Sequence, residues 1–310
     1  MRICSLLPSG TEILFALGLG ESVMGVTFEC DYPDEARSKP IVVRSKLASG
    51  LSQGEIDRTV KEFSARAESL YRLDIEKLQE IKPDLLITQD LCHVCAAAPG
   101  DLGAILGLLS PTPSVLALSP RTVADVWNDI ATVGKATGQA VAARELVSLL
   151  ESRVARVTQR RSAQPLRVLC LEWMEPPFVG GHWVPEMVEL AGGIDVLGRA
   201  GERGYETGWT TIAASDPDVI LVMPCGYHQT EVEAEMQRIQ FPAEWHSLRA
   251  VRTGNVFAIN ASSYFSRPGP RIADGILIMS QLFERISWKR AKKSVSGVSG
   301  IDFQRTDQSR

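Results

Sequence analysis

Ile81-Lys82-Pro83-Asp84-Leu85-Leu86-Ile87 returns later in the chain as Ser215-Asp216-Pro217-Asp218-Val219-Ile220-Leu221. Each copy is a polar Pro-Asp turn running straight into an apolar strand rich in β-branched and aliphatic residues. A second echo supports the first. Thr11-Glu12-Ile13-Leu14 leads through an apolar helix to Gly18-Leu19-Gly20, and Pro185-Glu186-Met187-Val188 leads to Gly192-Gly193. The repeats keep their order, which predicts two similar α/β lobes, each with its own sheet. Two lobes leave a cleft between them, and clefts are where ligands bind.

Length and composition agree with two domains. The chain has 310 residues, 45% hydrophobic and 23% charged, as in ordinary globular proteins. A net charge of −4 argues against a nucleic-acid partner. No apolar run reaches the roughly 18 residues a membrane span needs. Met1-Arg2-Ile3-Cys4-Ser5-Leu6-Leu7 already reads as a first strand, with no basic and apolar leader before it. As written, the expected location is cytoplasmic; a mis-called start codon would make it periplasmic or cell-surface. The six cysteines form no disulfide-like framework and suit a reducing compartment.

Working outward from the repeat, residues 1–121 form the first lobe. Ser9 and Glu12 read as a capping box for a helix through Ile13, Leu14, Ala16 and Leu17. Strands are expected at Val23–Thr27, Asp84–Thr88 and Ser114–Leu118, and a helix at Leu73–Ile81. The polar stretch Gly50–Ala67 reads as irregular or partly helical. Residues 122–163 carry helical spacing twice, first Val123, Val126, Ile130 and Val133, then Val141 through Leu150 to Val157. They form the bridge between lobes, and a helical linker restricts hinge motion more than a flexible one. Residues 164–287 form the second lobe, with strands at Leu166–Leu171, Val219–Val222 and Val256–Ile259 and a last helix at Pro270–Ser287. Residues 288–310 are basic, then Ser/Gly-rich, and read as a disordered tail.

In open α/β sheets ligands sit beyond the carboxyl ends of the strands. Those ends collect Glu29, Cys30, Asp31 and Tyr32; Asp90, Cys92, His93 and Cys95; Trp173, Glu175 and Phe178; Gly180-Gly181-His182-Trp183; Cys225, Tyr227 and His228; and Asn260, Tyr264, Phe265, Arg267 and Arg271. Aromatic side chains on both lobes suggest a wide, flat, partly apolar ligand. Thiols and imidazoles suggest that it carries a metal, or that a metal ion binds directly. Cys92-His93-Val94-Cys95 is half of a zinc-site pattern without a second half, and packing in a tight loop explains it equally well. Cys4 and Cys170 lie mid-strand as core residues. Glu12 and Glu186 are explained by helix starts. The two glycines before His182 would let the backbone approach a ligand.

Read in order, Leu6-Leu7-Pro8-Ser9-Gly10-Thr11-Glu12, Cys30-Asp31-Tyr32-Pro33, Ile81-Lys82-Pro83-Asp84-Leu85, Glu175-Pro176-Pro177-Phe178 and Tyr264-Phe265-Ser266-Arg267-Pro268-Gly269-Pro270-Arg271 form a pattern. It resembles the class III periplasmic-binding-protein family, the substrate-binding components of cobalamin, haem and ferric-siderophore importers. The resemblance spans most of residues 2–286 and lies nearest a cytosolic cobalamin-binding branch. It implies two Rossmann-like lobes joined by a long bridging α-helix, and a corrinoid or related metal chelate held in the cleft without catalysis. It places Tyr32, Phe178, Tyr264 and Arg271 at or beside the corrinoid. It also implies an ABC permease partner docked through one acidic residue per lobe. Glu76 keeps the first; the second falls near Thr210, which, with the missing signal peptide, weakens that partnership.

The expected ligand-binding set is Tyr32, Trp173, Phe178, His182, Trp183, Tyr264, Phe265 and Arg271, with Cys92 and Cys95 as speculative metal contacts. A monomer is expected. Two rivals stand beside it: a cytosolic thiol-dependent corrinoid-processing or redox enzyme, and direct soft-metal binding by Cys30, Cys92, Cys95, Cys225 and His182. No catalytic triad, Walker loop or Gly-x-Gly-x-x-Gly supports the enzyme.

Overall fold

The computed structural model of the chain describes residues 1–89, 103, 105–159 and 164–296. The first lobe runs β1 (Ile3–Ser5), α1 (Pro8–Ala16), β2 (Val23–Thr27), β3 (Ile41–Ser45), α2 (Gln53–Ala65), β4 (Tyr71–Leu73), α3 (Ile75–Ile81), β5 (Leu85–Gln89) and β6 (Ser114–Leu118). Its sheet has the order β4-β3-β2-β1-β5-β6, parallel except for the β3–β4 pair. Two helices come next, α4 (Val123–Ala136) and α5 (Ala140–Thr158). The second lobe begins with β7 (Leu166–Met174), β8 (Pro177–Val179), α6 (Val184–Leu190), β9 (Gly193–Asp195) and β10 (Tyr205–Glu206). It continues through α7 (Trp209–Ser215), β11 (Val219–Val222), α8 (Gln229–Arg238), α9 (Ala243–Ser247) and α10 (Arg249–Arg252), and ends with β12 (Val256–Ala258), α11 (Ala261–Tyr264) and α12 (Ile272–Ser296). Its sheet has the order β10-β8-β7-β11-β12, and β9 pairs with β7. This is the two-sheet, helix-bridged architecture expected from the sequence.

The repeated Pro-Asp turn does the same physical work in both lobes. Helices α3 and α7 each end on a left-handed residue, Lys82 (φ 50°) and Asp216 (φ 39°). The Pro that comes next cannot continue a helix. The Asp carboxylate then accepts the backbone N–H of the residue before or at the start of the lobe's first strand: Arg2 N–H to Asp84 at 2.7 Å, Arg167 N–H to Asp218 at 3.0 Å. The Asp backbone N–H answers to the same residue's carbonyl, at 2.8 and 2.7 Å. Each turn therefore delivers a central strand in register beside the first strand of its lobe.

The bridge is built in rather than appended. Thr122 and Asp125 form a capping box at the start of α4, a device that stabilises a helix start by about 1 kcal/mol. Val126, Ile130, Val133, Leu150 and Val154 share one apolar core with Ile3 and Ile87 of the first lobe and Val168, Met187 and Ile276 of the second. Each lobe has in addition a private core on the other face of its sheet.

Two expectations change, and a third, that Gly50–Ala67 is irregular or partly helical, is settled in favour of a helix. Helix α1 starts at Pro8 with Leu7 as a cap residue that offers no side chain, so Ser9 and Glu12 form no capping box. Gly50–Ala67 contains a regular helix, α2, entered through a capping box made by Ser52 and Glu55. Polar composition hid it, because only one face meets the lobe. The last helix continues to Ser296, past residue 288 where the tail was expected to begin.

A candidate ligand cleft between the lobes

The strands β1, β2 and β5 end on one side of the first lobe, and β7, β11 and β12 end on the facing side of the second. Between them lies a polar floor. Glu12, on α1, is buried and accepts two hydrogen bonds from Arg271, from Nε at 2.8 Å and from Nη2 at 2.5 Å. Arg271 lies over the ring of Tyr32, 4.1 Å from its centroid, and 5.8 Å from that of Tyr264. Arg267 pairs with Asp31, donates to the Glu29 carbonyl at 2.9 Å and sits 3.6 Å from Glu12. His228 Nε2 lies 3.1 Å from the other Asp31 oxygen. Four residues of the first lobe, Glu12, Glu29, Asp31 and Tyr32, thus meet three of the second, His228, Arg267 and Arg271, across the cleft.

Burial sets the electrostatics. It pushes the Glu12 carboxyl above its ordinary value, against the two Arg271 hydrogen bonds and the Arg267 charge. Burial also works against Asp31, but the hydrogen bond and charge of Arg267 and the nearby His228 win and hold it below. Glu29, half-buried beside Asp31, is pushed up to about 6, desolvation being the main cause.

A second contact closes the outer part of the cleft. Gln53, the first residue of α2, is 0% exposed because it is inserted into the second lobe. Its Oε1 accepts the Met174 N–H at 2.7 Å, its carbonyl accepts the Trp173 indole N–H at 3.3 Å, and its own N–H donates to Glu235 at 3.2 Å. Gly54 is next in the chain; a Cβ there would lie 3.2 Å from the Glu175 carboxyl carbon. Further out, Lys61 bridges Asp57 at 2.9 Å and Glu206 at 3.1 Å. Trp173 meets Tyr227 edge-on at 5.8 Å and lies opposite Phe178 in the β7–β8 ladder.

The structure sorts the residues singled out from the sequence. Tyr32, Trp173, Phe178, Tyr264 and Arg271 lie on the cleft, and Tyr32 is 47% exposed. Trp183 and Phe265 do not face it. They are 5% and 1% exposed, belong to the shared core, and the Trp183 indole N–H is satisfied by the Phe265 carbonyl at 2.7 Å. For Trp183 the reason is strand direction. β8 runs antiparallel to β7, so the chain turns back at Glu175-Pro176 and Gly180 pairs with Cys170, well behind the strand end. The Gly180-Gly181 pair likewise serves the lobe itself: a Cβ on Gly181 would lie 2.1 Å from the Gly204 nitrogen. His182 takes φ 52° and donates its N–H to the Glu202 carbonyl at 2.5 Å. Burial, with Arg203 and Arg121 nearby, keeps its imidazole below the ordinary value, and its Nδ1 is buried without a partner among the described residues.

Cys92 and Cys95 lie outside the described residues. Cys30 is buried, 3.0 Å from the Thr11 hydroxyl, and burial pushes its thiol up to about 12. Cys225 is exposed. Among the described residues no group of three or more His, Cys, Asp or Glu side chains is arranged to hold a metal ion. Glu76 is exposed in the first turn of α3, and Thr210 is exposed on α7. Sequence reasoning missed Gln53 and the pairing of Glu12; it placed Arg267 beyond a strand end but left it out of the ligand-binding set.

Comparison with known proteins agrees with this architecture. The chain is 24% identical over 281 residues to a vitamin B12-binding protein of Vibrio cholerae serotype O1, covering 89% of this chain and 86% of that one. It is 22% identical to the uncharacterized ABC transporter substrate-binding lipoprotein YvrC of Bacillus subtilis, covering 89% and 77%. Among solved structures it superimposes on the periplasmic heme-binding protein RhuT of Roseiflexus sp. RS-1 with a TM-score of 0.70 at 24% identity, covering 92% and 98%. The periplasmic vitamin B12-binding protein BtuF of Vibrio cholerae gives 0.63 at 22% identity, covering 92% and 97%. Three of these four are named as periplasmic or as a lipoprotein, so they lend no support to the cytoplasmic location expected from the N-terminus. The profile of the periplasmic binding protein family matches residues 3–262, and the chain belongs to that family.

Proposed function

We propose that the chain is the substrate-binding component of an ABC-type uptake system and holds a corrinoid, without catalysis, between its two lobes. The observation that carries the reading is the convergence of Tyr32 with Tyr264 and Arg271, and of α2 with Trp173 and Phe178, across one cleft. Aromatic walls of this kind suit a wide, flat chelate, and two preformed walls lower the ordering cost of binding. The vitamin B12-binding relatives point to the same ligand class. Since α2 fills the outer cleft, ligand binding separates Gln53 from the second lobe.

Three of the four described thiols are buried and poorly placed for thiol chemistry, and Cys225 is exposed. Burial pushes Cys4 and Cys30 up to about 12 and Cys170 well above its ordinary value, so none is a thiolate at neutral pH. Glu76 is assigned as a permease contact on the first lobe. A haem ligand is the second reading, favoured by the fold match to RhuT.

Titration of the purified protein with cobinamide, cobalamin and haemin, monitored by absorbance and Trp fluorescence, tests the proposal. Saturable corrinoid binding at micromolar or tighter affinity is expected. Haemin binding alone would select the second reading, and binding of none would refute both.

A further inference from the structure

Both guanidinium groups on the cleft floor are already spent. Arg271 gives two hydrogen bonds to Glu12, and its face is covered by Tyr32 and Tyr264. Arg267 gives its hydrogen bonds to Asp31 and the Glu29 carbonyl, with Glu12 beside it. His228 faces Asp31 as well. Two carboxylates, Glu12 and Asp31, therefore occupy two arginines and one histidine, with the Glu29 carboxyl nearby in the field of Arg267. A ligand carboxylate arriving here would have to displace a buried carboxylate from an arginine, or be desolvated against carboxyl oxygens, and both are costly. An amide has no such conflict. It can accept from an N–H and donate to a carboxylate oxygen with a free lone pair.

Resting on the cleft reading above, we infer that the Glu12–Arg271 and Asp31–Arg267 pairs make this floor a charge filter. It admits chelates whose periphery ends in uncharged amides and excludes those whose periphery ends in carboxylates. The arginines act as positioning and selecting groups rather than as anion receptors. Glu12 determines specificity by occupying Arg271, and Asp31 does the same for Arg267. Haem, with its carboxylate edge, falls on the excluded side.

The test keeps the macrocycle and changes only the charge. Dicyanocobinamide, with amide-terminated side chains, and dicyanocobyrinic acid, with carboxylates in their place, are titrated into the protein at pH 7.5. The expected result is weaker binding of the acid, by about tenfold or more for each carboxylate desolvated at the floor. Glu12→Gln frees Arg271 and is expected to shift the preference toward the acid and toward haemin. Asp31→Asn, nearer the solvent, is expected to shift it the same way and serves if Glu12→Gln does not fold. Equal binding of the two corrinoids by the wild type, or variants with unchanged preference, would overturn the filter and leave corrinoid binding standing. Failure of the folded wild type to bind either would overturn the binding reading and the filter with it.

Discussion

Gln53→Ala separates two ways in which a ligand could use this cleft. In the described conformation Gln53 Oε1 is the acceptor for the Met174 N–H, at 2.7 Å in a buried setting. The substitution leaves the two main-chain contacts in place, Gln53 N–H to Glu235 and the Trp173 indole N–H to the Gln53 carbonyl. The side-chain contacts are lost, this one and the hydrogen bond with Tyr227. A buried N–H left without an acceptor costs about 1–3 kcal/mol. That cost falls on the closed form alone, because in an open cleft the Met174 N–H reaches water. The closed-to-open equilibrium therefore moves toward open by roughly 5- to 150-fold. If corrinoid enters by displacing α2 from Trp173, the apparent affinity of the wild type is reduced by its small open population. The variant then binds more tightly, by up to that factor, and faster. Stopped-flow Trp fluorescence with cobinamide reads both, and small-angle scattering of the ligand-free variant reads the opening. Weaker binding at an unchanged radius of gyration would refute this mechanism, since Gln53 would then belong to the bound state.

Acidity provides a further check. Glu29 and Asp195 are pushed up to about 6 and Asp129 to about 7, burial being the main cause in each. Carboxyls raised in the folded state add stability below their unfolded values, near 4, and lose it as pH rises through 6–7. Asp31 and Asp218, held low, lose theirs only as pH falls below about 4. The melting temperature is therefore expected to be higher at pH 5 than at pH 8, and a rise toward pH 8 would contradict the assignment. Asp129 Oδ2 is buried without a hydrogen-bond partner among the described residues; Asp129→Asn should raise the melting temperature at pH 8 and change it little at pH 5. With Cys92 and Cys95 replaced by Ser, one of the remaining four thiols, Cys225, should react promptly with a disulfide reagent in the native state, and prompt reaction of Cys30 would show that its burial is wrong. Gly181→Ala should destabilise the second lobe by about 1–3 kcal/mol in chemical denaturation, because its Cβ meets backbone at 2.1 Å.

The part of the fold legible in the sequence was local. The Pro-Asp turn could be read because a left-handed cap, a proline and an acceptor carboxylate are all specified within a few residues. The strands Val23–Thr27, Ser114–Leu118 and Val219–Val222 were legible for the same reason, as short apolar runs between turn signals. The site was legible only in part. Position just beyond a strand end brought Tyr32 and Tyr264 to the cleft, since parallel strands deliver their ends to one side, while Trp173 reaches it from within β7, which runs on to Met174. The same rule failed at Gly180–Trp183, because a reversal into an antiparallel β8 is a register event that residue types do not announce. It failed also at Glu12 and Gln53. Their chemistry depends on partners 259 and 182 residues away. Glu12 looked like a helix-start residue, and from position alone nothing distinguishes that from a buried carboxylate waiting for an arginine.

The failures at Glu12 and Gln53 share a cause with consequences for function. Both concern contacts from one lobe to the other, and these are the contacts that a ligand must break, replace or exploit. A sequence specifies each lobe through its own core, while the cleft is specified only by the complementarity of two surfaces folded separately. The pairs Glu12–Arg271 and Asp31–Arg267 are stable while the lobes stay together, yet an unpaired buried charge would be left wherever they were parted without replacement. Opening is therefore expected at the Gln53 side, where the contacts are hydrogen bonds and one exposed ion pair, Lys61–Glu206, that water can replace, while the charged floor stays closed and acts as the hinge-side wall. A motion of that shape exposes Trp173 and Phe178 first and leaves the two arginines covered, so that the aromatic wall receives the ligand before its edge is judged at the floor.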